Sequence, residues 1–249
     1  MGDVVGVIPA RYGSERLPGK VLKKIGNCTI LESVYRHAIK AKTLTRILIA
    51  TDSDIIADEA RRIGAQVVFT APDCRSGSDR VALVARKIKG DIFVNIQADE
   101  PFIPAEAIDL PVKAMLDDDA IVCATAATRI RRESDLYNPH ITKVVVNKQS
   151  FALFFSGSLI PFPRIYFSRD LPFFGRIVFL KHIGVYAFQR KFLLRFAKFP
   201  STPLEQVEQL EQLRILENGY TIKVVVVAKD SQSVDTIDDI RTLNRQPNG

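Results

Sequence analysis

The sequence predicts an α/β fold in which a mostly parallel sheet is flanked by helices and carries a smaller β-rich insertion. Three observations predict it. Short apolar runs alternate with amphipathic, capped segments through the first half of the chain. After Met115 that rhythm gives way to consecutive short apolar runs separated by turn residues. Near the end "PLEQVEQLEQLRILENG" and "TIKVVVVA" restore a helix followed by a core strand. Parallel neighbours need long crossovers, usually helical, and such an alternation supplies them.

Taken in order, Asp3–Ile8 reads as a buried strand. Thr29–Lys42 reads as a helix opened by a capping box in "TILE", with Thr29 and Glu32 satisfying each other's end of the first turn. Arg46–Ala50 is a strand, "DSDIIADEARRIGA" a helix stopped at Gly64, and "QVVFT" a strand. Ser78–Lys89 is a helix, and "DIFVNIQADEP" is a strand ending in polar residues. Ile121–Thr128, Thr142–Asn147 and Phe151–Phe155 are short strands, with "NKQS" (Asn147–Ser150) as a hairpin turn. Pro161, Pro163 and Pro172 mark an irregular loop, and "KHIGVYAF" returns as a strand. In the helix from Leu204, with Gly219 past its end, the spacing predicts a buried stripe of Leu204, Val207, Leu210 and Leu213, with Glu208, Glu211 and Gln212 on a solvated face. With no repeat and no low-complexity tract, residues 1–249 read as one domain, of which approximately 121–200 is the insertion.

The 249 residues are enough to bury a full core, and a hydrophobic share of 47% fits a globular chain. No apolar stretch approaches the roughly 18 residues that span a bilayer. The start, "MGDVVGVIPA", lacks the basic n-region and longer apolar core of a secretory signal, so the cytoplasm is the expected location. Cys28, Cys74 and Cys123 are odd in number and widely spaced, which indicates neither a disulfide framework nor a zinc site. The net charge of +7 is uneven: Arg129–Lys198 holds thirteen Lys/Arg against Glu133, Asp135 and Asp170, a balance of +10 that leaves −3 for the rest. The same segment holds fourteen of the twenty-one Phe and Tyr residues. Basic and aromatic together suit single-stranded nucleic acid, a subunit interface beside an acidic ligand, or simply a solvated basic face over an aromatic core.

Three stretches carry chemistry. "VIPARYGSERLPGK" follows the first strand with Arg11, Arg16 and Lys20 and with Gly13 and Gly19, at which backbone can approach a ligand. Charge-assisted hydrogen bonds from such cations suit a polyphosphate, with a merely structural basic loop as the alternative. The spacing is neither a Walker loop, since Val21 stands where its hydroxyl belongs, nor a G-x-G-x-x-G fingerprint. In "IQADEP", Gln97 and Asp99 share a face at a strand end and Glu100 points the other way. Asp99 either pairs with a cation or holds a metal, or is only a turn acid before Pro101. In "SVDTIDD", Asp235 is placed to cap the last helix, and one carboxylate can both cap and ligate. Magnesium takes one or two protein carboxylates with substrate phosphates, so Asp99 and Asp235 suffice. His37 reads as a surface histidine, His140 as a loop residue, and His182 as a core histidine of the basic segment.

These pieces, with "ATDSD", "SGSDR", "NP…KVVVN", "FALFFS", "LEQVEQLEQLRILENG" and "VDTIDD", follow the order found in CMP-Kdo synthetases, the 3-deoxy-D-manno-octulosonate (Kdo) cytidylyltransferases, and the chain resembles them from about Val4 to Asp239. The resemblance implies a nucleotidyltransferase-like Rossmann variant that makes CMP-Kdo and pyrophosphate from CTP and Kdo, for lipopolysaccharide synthesis, with Mg2+, as a cytoplasmic homodimer. It implies that Arg11, Arg16 and Lys20 hold the phosphates, that Thr70, Pro72, Ser76, Gly77 and Arg80 supply the cytosine and ribose contacts, and that Pro9, Ala10, Gly13, Ser14, Gln97 and Asp99 also belong to the nucleotide site. Arg11, Lys20, Asp99 and Asp235 are then catalytic, the two aspartates ligating magnesium. Gln97, Arg164, His182, Tyr186, Glu211 and Gln212 line the sugar pocket, with Arg164 or His182 as the cation for a sugar acid.

Three departures stand out. Where the family reads Phe-Ser-Arg before "IP", this chain has Gly157, and Arg164, Arg169 or Arg176 would have to compensate or the sugar differs. Ala98 replaces a glycine, tolerable unless that position needs a positive φ. Glu15 sets an acid inside the phosphate loop. The competing readings are a nucleotidyltransferase for a related sugar acid (amino-substituted Kdo or sialic acid), a sugar-nucleotide binding protein that has lost catalysis, and a nucleic-acid protein. The last leaves Arg11–Lys20, Gln97 and Asp99 without a task, and neither a Trp nor an RNA-module signature supports it.

Overall fold

The computed structural model describes residues 2–13, 17–167 and 172–245. The chain runs β1 (Val4–Pro9), a 3₁₀ turn (Lys20–Leu22), a small ribbon of β2 (Lys24–Ile25) and β3 (Cys28–Thr29), α1 (Ile30–Ala38), β4 (Arg46–Thr51) and α2 (Asp54–Arg62). There follow β5 (Gln66–Phe69), α3 (Gly77–Lys87), β6 (Ile92–Asn95), α4 (Ala105–Asp117), β7 (Cys123–Arg129) and α5 (Ser134–Tyr137). Next come β8 (Lys143–Val146), β9 (Ala152–Ser156), α6 (Arg164–Phe167), β10 (Leu180–Gln189) and α7 (Arg190–Phe196). The chain closes with α8 (Pro203–Glu208), α9 (Leu213–Glu217), β11 (Lys223–Val227) and α10 (Ile237–Arg245).

The central sheet has the order β11-β7-β10-β6-β1-β4-β5. β1 is parallel to β4 and β6, β4 to β5, and β11 to β7, while β10 is antiparallel to both neighbours. Alternation along β1 explains the three layers. Val4 and Ile8 join Ile30, Leu31 and Val34 of α1 and Ala107, Ile108 and Val112 of α4 in one buried cluster. Val5 and Val7 join Val81 and Val84 of α3 and Phe192 and Phe196 of α7 in the other. Helix α4 is the one long element that the sequence pattern does not predict. Pro111 lies inside it but is buried with Ala107, Ile108, Val112 and Met115, so packing of the apolar face outweighs the proline.

The basic, aromatic segment is less separate than the sequence suggests. Its β7 and β10 are central strands of the main sheet, and only β8 and β9 branch from that path. Its aromatics supply core: Phe188, Phe192 and Phe196 stack with centroids 5.9 to 6.4 Å apart, and the Arg195 and Arg214 guanidiniums lie over Tyr220 and Phe196. "NKQS" turns as expected: Ser150 has φ 61°, and Asn147 Oδ1 accepts the N–H groups of Gln149 and Phe151.

Two expectations need correction. At α1, Thr29 accepts the Glu32 N–H at 3.1 Å, but Glu32 does not return the bond; its carboxylate is drawn instead to Arg36 and Arg62. The single helix expected from Leu204 is two helices, broken at Gln209 with φ 55°. The break resets the helical phase. Val207 is 81% exposed and Leu204 also faces outward, while Leu213 and Gln212 are buried and Glu211 is partly so.

Candidate active site

In a parallel sheet the carboxyl ends of neighbouring strands open on the same edge, and loops there converge. Pro9, Arg11, Lys20, Val21, Cys74, Arg75, Ser76, Gly77, Arg80, Gln97, Ala98, Asp99 and Asp235 line a cavity of about 300 Å³ at that edge. β1 delivers Pro9 and Arg11. Gly19, at φ 65° and with the Tyr12 ring 3.4 Å from where its Cβ would be, turns the chain back so that Lys20 enters the cavity. Lys20 Nζ lies 2.6 Å from Asp99 Oδ2 and 3.1 Å from Asp235 Oδ1. The Asp235 loop is tied to the Asp99 loop by Val234 N–H donating to Asp99 O at 2.8 Å.

Asp235 is not the cap of α10. Thr236 Oγ1 accepts the Asp239 N–H, and the Asp239 carboxylate accepts from Asp235 N–H and Thr236 N–H at 2.9 and 2.7 Å. This reciprocal pair does not use the Asp235 carboxylate, which meets Lys20. On the other wall, Ser76 caps α3 by accepting the Asp79 N–H, so the helix presents its N-terminus to the cavity. Arg80 is buried and fixed by the Thr70 hydroxyl and by Asp52, 3.3 Å away. Ala98 is not among the described residues with positive φ, so the glycine-to-alanine departure costs no backbone strain.

Other expected nucleotide residues are arranged differently. Ala10 is buried against the core, Thr70 reaches the cavity only through Arg80, and Gly13 and Pro72 are exposed. Ser14, Glu15 and Arg16 lie outside the described residues, as does Arg169. Val21, Cys74, Arg75 and Ala98 also line the cavity, although the sequence gives them no binding role; Ala98 sits inside "IQADEP", and Val21 and Arg75 directly flank quoted stretches.

A second polar cluster lies behind the first. Asn95, fully buried at the end of β6, donates through Nδ2 to Ser78 Oγ at 3.1 Å, and Ser78 donates to Glu211 Oε1 at 2.6 Å. Tyr186 pairs with Asn95 across β6 and β10, and its ring is 5.2 Å from that of His182. Asn95 Oδ1, Glu211 Oε2 and Gln212 Nε2 are buried without a partner among the described residues. Buried polar atoms in that state point to a ligand that completes them. Burial pushes the Glu211 carboxyl up and the His182 imidazole down to about 3, so His182 is neutral and is not the cation expected for an acid. Asn95 and Ser78 are missed by sequence reasoning, although an amide inside the apolar "DIFVNI" was a usable signal.

Arg164 is exposed on α6, and no contact among the described residues brings it to this cluster. Arg176 is exposed as well. At Gly157 a Cβ would stand 2.8 Å from Pro139 O, so no side chain fits. The Glu208 carboxylate accepts from Ser156 Oγ at 2.6 Å and Gly157 N at 3.1 Å, and the buried Lys143 ammonium donates to Gly157 O, Asn138 O and Ile141 O.

Comparison with known proteins identifies the family. The family profile for cytidylyltransferases matches residues 5–235. The chain is 43% identical to the 3-deoxy-manno-octulosonate cytidylyltransferase of Solibacter usitatus (strain Ellin6076), over 97% of this chain and 93% of that one. It is 41% identical to the enzyme of that name from Trichlorobacter lovleyi (strain ATCC BAA-1151 / DSM 17278 / SZ), over 96% of each. Among solved structures, a CMP:2-keto-3-deoxy-manno-octonic acid synthetase complexed with CTP superposes with a TM-score of 0.88 at 35% identity, covering 97% of both chains. No helix among the described residues is long and apolar enough to cross a membrane. Identity at this level over nearly the whole length, on a shared fold, places the chain in the cytidylyltransferase family, among the 3-deoxy-manno-octulosonate cytidylyltransferases.

Proposed function

We propose that the chain transfers CMP from CTP to the anomeric hydroxyl of Kdo, giving CMP-Kdo and pyrophosphate. The observation that carries the reading is the Lys20 ammonium held between Asp99 and Asp235, in one cavity with Arg11, Arg80 and the N-terminus of α3. The sugar oxygen forms a bond to the α-phosphorus as the bond to the bridging oxygen breaks. Pyrophosphate leaves with the electron pair, and the hydroxyl proton passes to water. Little covalent chemistry falls to the protein, so its work is placement and charge.

Arg11, Lys20 and the N–H groups at Ser76 and Gly77 receive the phosphates. Arg80, held by Asp52 and Thr70, fixes one wall of the nucleotide site. The donor set suits magnesium: two carboxylate oxygens converge on one cation, and that metal takes one or two carboxylates plus phosphate oxygens. Asp99 and Asp235 would hold it, and when bound it offsets the charge of the phosphates. His182, Tyr186, Glu211, Gln212 and Asn95 receive the sugar, the unpartnered atoms of Asn95, Glu211 and Gln212 matching its hydroxyls. Gln97 lines the cavity at the boundary between the two sites.

We also infer a cytoplasmic homodimer. Tyr137 and Val207, 55% and 81% exposed, line one surface hollow with Pro139 and Leu159, apolar surface suited to a second copy. Sedimentation at micromolar protein should give the mass of two chains; one chain would contradict the dimer.

The test is pyrophosphate release by purified protein from CTP, Mg2+ and Kdo. Release with amino-substituted Kdo or sialic acid but not with Kdo would move the sugar assignment. No release with any sugar acid, despite nucleotide binding, would mark a binding protein.

A further inference from the structure

β10 does not run evenly past β7. His182 pairs with Ala127 and Ile183 with Ala126, but the next residue of β7, Thr125, pairs with Tyr186. Gly184 and Val185 are therefore looped out. On a regular strand, residues four apart are separated by roughly 13 Å; here the His182 and Tyr186 rings come to 5.2 Å.

Looped-out backbone loses its ladder partners, and buried polar groups must find others. Two side chains supply them. Glu100 Oε1 accepts the Gly184 N–H at 3.0 Å, an approach that only glycine permits, since a Cβ there would stand 2.7 Å from that oxygen. Thr125 Oγ1, fully buried, lies 2.6 Å from Val185 O, 3.4 Å from Ile183 O and 2.9 Å from His182 Nε2.

A hydroxyl has one hydrogen to give. The short approach to Val185 O requires it there, because two acceptor oxygens at that distance would repel each other. The hydrogen between Thr125 and His182 must then come from the ring. Nε2 carries it, and Nδ1 is left as the acceptor.

We propose that Thr125 is a positioning residue of the sugar subsite: its hydroxyl closes the β10 bulge and fixes His182 as the Nε2–H tautomer. His182 is thereby kept beside Tyr186 as an acceptor for a sugar hydroxyl. The inference rests on the reading above that His182, Tyr186 and Glu211 receive the sugar. Glu100 ties the same bulge to the loop that carries Asp99, so the two subsites share one support.

Thr125→Val keeps the shape and removes the hydroxyl, and Thr125→Ser keeps the hydroxyl. With CTP and Kdo varied separately, Thr125→Val should raise the KM for Kdo by about fivefold and change that for CTP by less than about twofold. Thr125→Ser should restore the wild-type KM. An unchanged KM for Kdo, or an equal rise in both constants, overturns the proposal. Histidine ¹⁵N NMR of the wild-type protein gives a readout without turnover and without a variant that must fold. His182 should appear as the neutral Nε2–H tautomer at about pH 7, and an Nδ1–H tautomer or an imidazolium overturns the proposal. If wild-type protein does not turn over Kdo, that failure belongs to the substrate reading, and the NMR result alone decides whether Thr125 fixes the ring.

Discussion

Lys20 Nζ stands 2.6 Å from Asp99 Oδ2, and the same ammonium reaches Asp235 at 3.1 Å. Two carboxylates from distant parts of the chain thus share one cation beside the N-terminus of α3. In water such a pair contributes little to stability, and the Asp99 side chain is 29% exposed. Its value lies in where it places charge.

Asp99→Asn should therefore abolish turnover and spare the fold. Loss of one fixed charge at a phosphoryl-transfer site costs about a hundredfold or more in kcat, whereas a partly exposed ion pair is worth about 1 kcal/mol or less. Pyrophosphate release and a melting curve on the same preparation check both. Near-normal release would remove Asp99 from the machinery, and a collapsed melting temperature would make it structural.

Gly157 is a packing requirement. A Cβ there would meet Pro139 O at 2.8 Å, and that oxygen is backbone, so the loop itself must shift. Gly157→Ala should destabilise the chain by about 1–3 kcal/mol, the usual cost of overpacking. Urea unfolding would show it as a lower midpoint with an unchanged slope. A variant as stable as the wild type would mean that the loop yields freely.

How far the site was legible in the sequence depended on whether a residue's task was local. Pro9, Arg11, Lys20, Ser76, Gly77, Arg80, Gln97 and Asp99 sit in compact motifs after strand ends or at the start of α3, and each lines the cavity. The alternation that predicts the parallel sheet was equally plain, because a buried strand and a capped helix each carry their own period. Asp235 lines the cavity but does not cap α10, and the sequence cannot show this, since choosing Thr236 over its neighbour depends on which side chain the Asp239 N–H meets. Glu211 and Gln212 were expected on a solvated face because heptad-like spacing assumes an unbroken helix. The αL residue Gln209 breaks that assumption without a glycine to announce it. Thr125 gave no signal, because a threonine in a strand looks the same whether its hydroxyl holds a bulge or merely a neighbouring carbonyl.

His182 should make stability depend on pH. Burial holds its folded pKa down to about 3, against 6.5 for the free group. Between those values the unfolded chain takes up a proton that the native chain refuses, so stability is lost as pH falls through that window. From pH 7 to pH 5 the wild type should lose about 2 kcal/mol more than His182→Gln, which has no group to titrate there. Urea unfolding of both proteins at the two pH values gives the difference. Parallel losses would mean that His182 takes up its proton in the native protein as readily as in the unfolded chain, and at pH 5 it would then offer no acceptor nitrogen.

The broken helix makes its own prediction through Arg214. The turn at Gln209 brings Arg214, 1% exposed, against Glu205, with Nη2 at 2.8 Å and Nε at 3.1 Å from Oε1, and lays its guanidinium 4.6 Å above the Phe196 ring. Asp79 lies 3.8 Å away on the other side and keeps its own bonds to Arg75. Removing the guanidinium leaves the Glu205 carboxylate with only the bonds that Oε2 accepts from Ser201 Oγ and Thr202 N–H, and breaking such a buried pair costs about 3–5 kcal/mol. Arg214→Met, which keeps much of the apolar stem, should therefore lose about 3 kcal/mol in urea unfolding. Because α9 begins directly after Glu211 and Gln212, the same variant should raise the KM for the sugar more than that for CTP. Adding Glu205→Gln relieves the stranded charge, so the double variant should be more stable than the sum of the single losses allows. Strict additivity would show that the two side chains do not act as a pair, and that some other contact sets the phase of the broken helix.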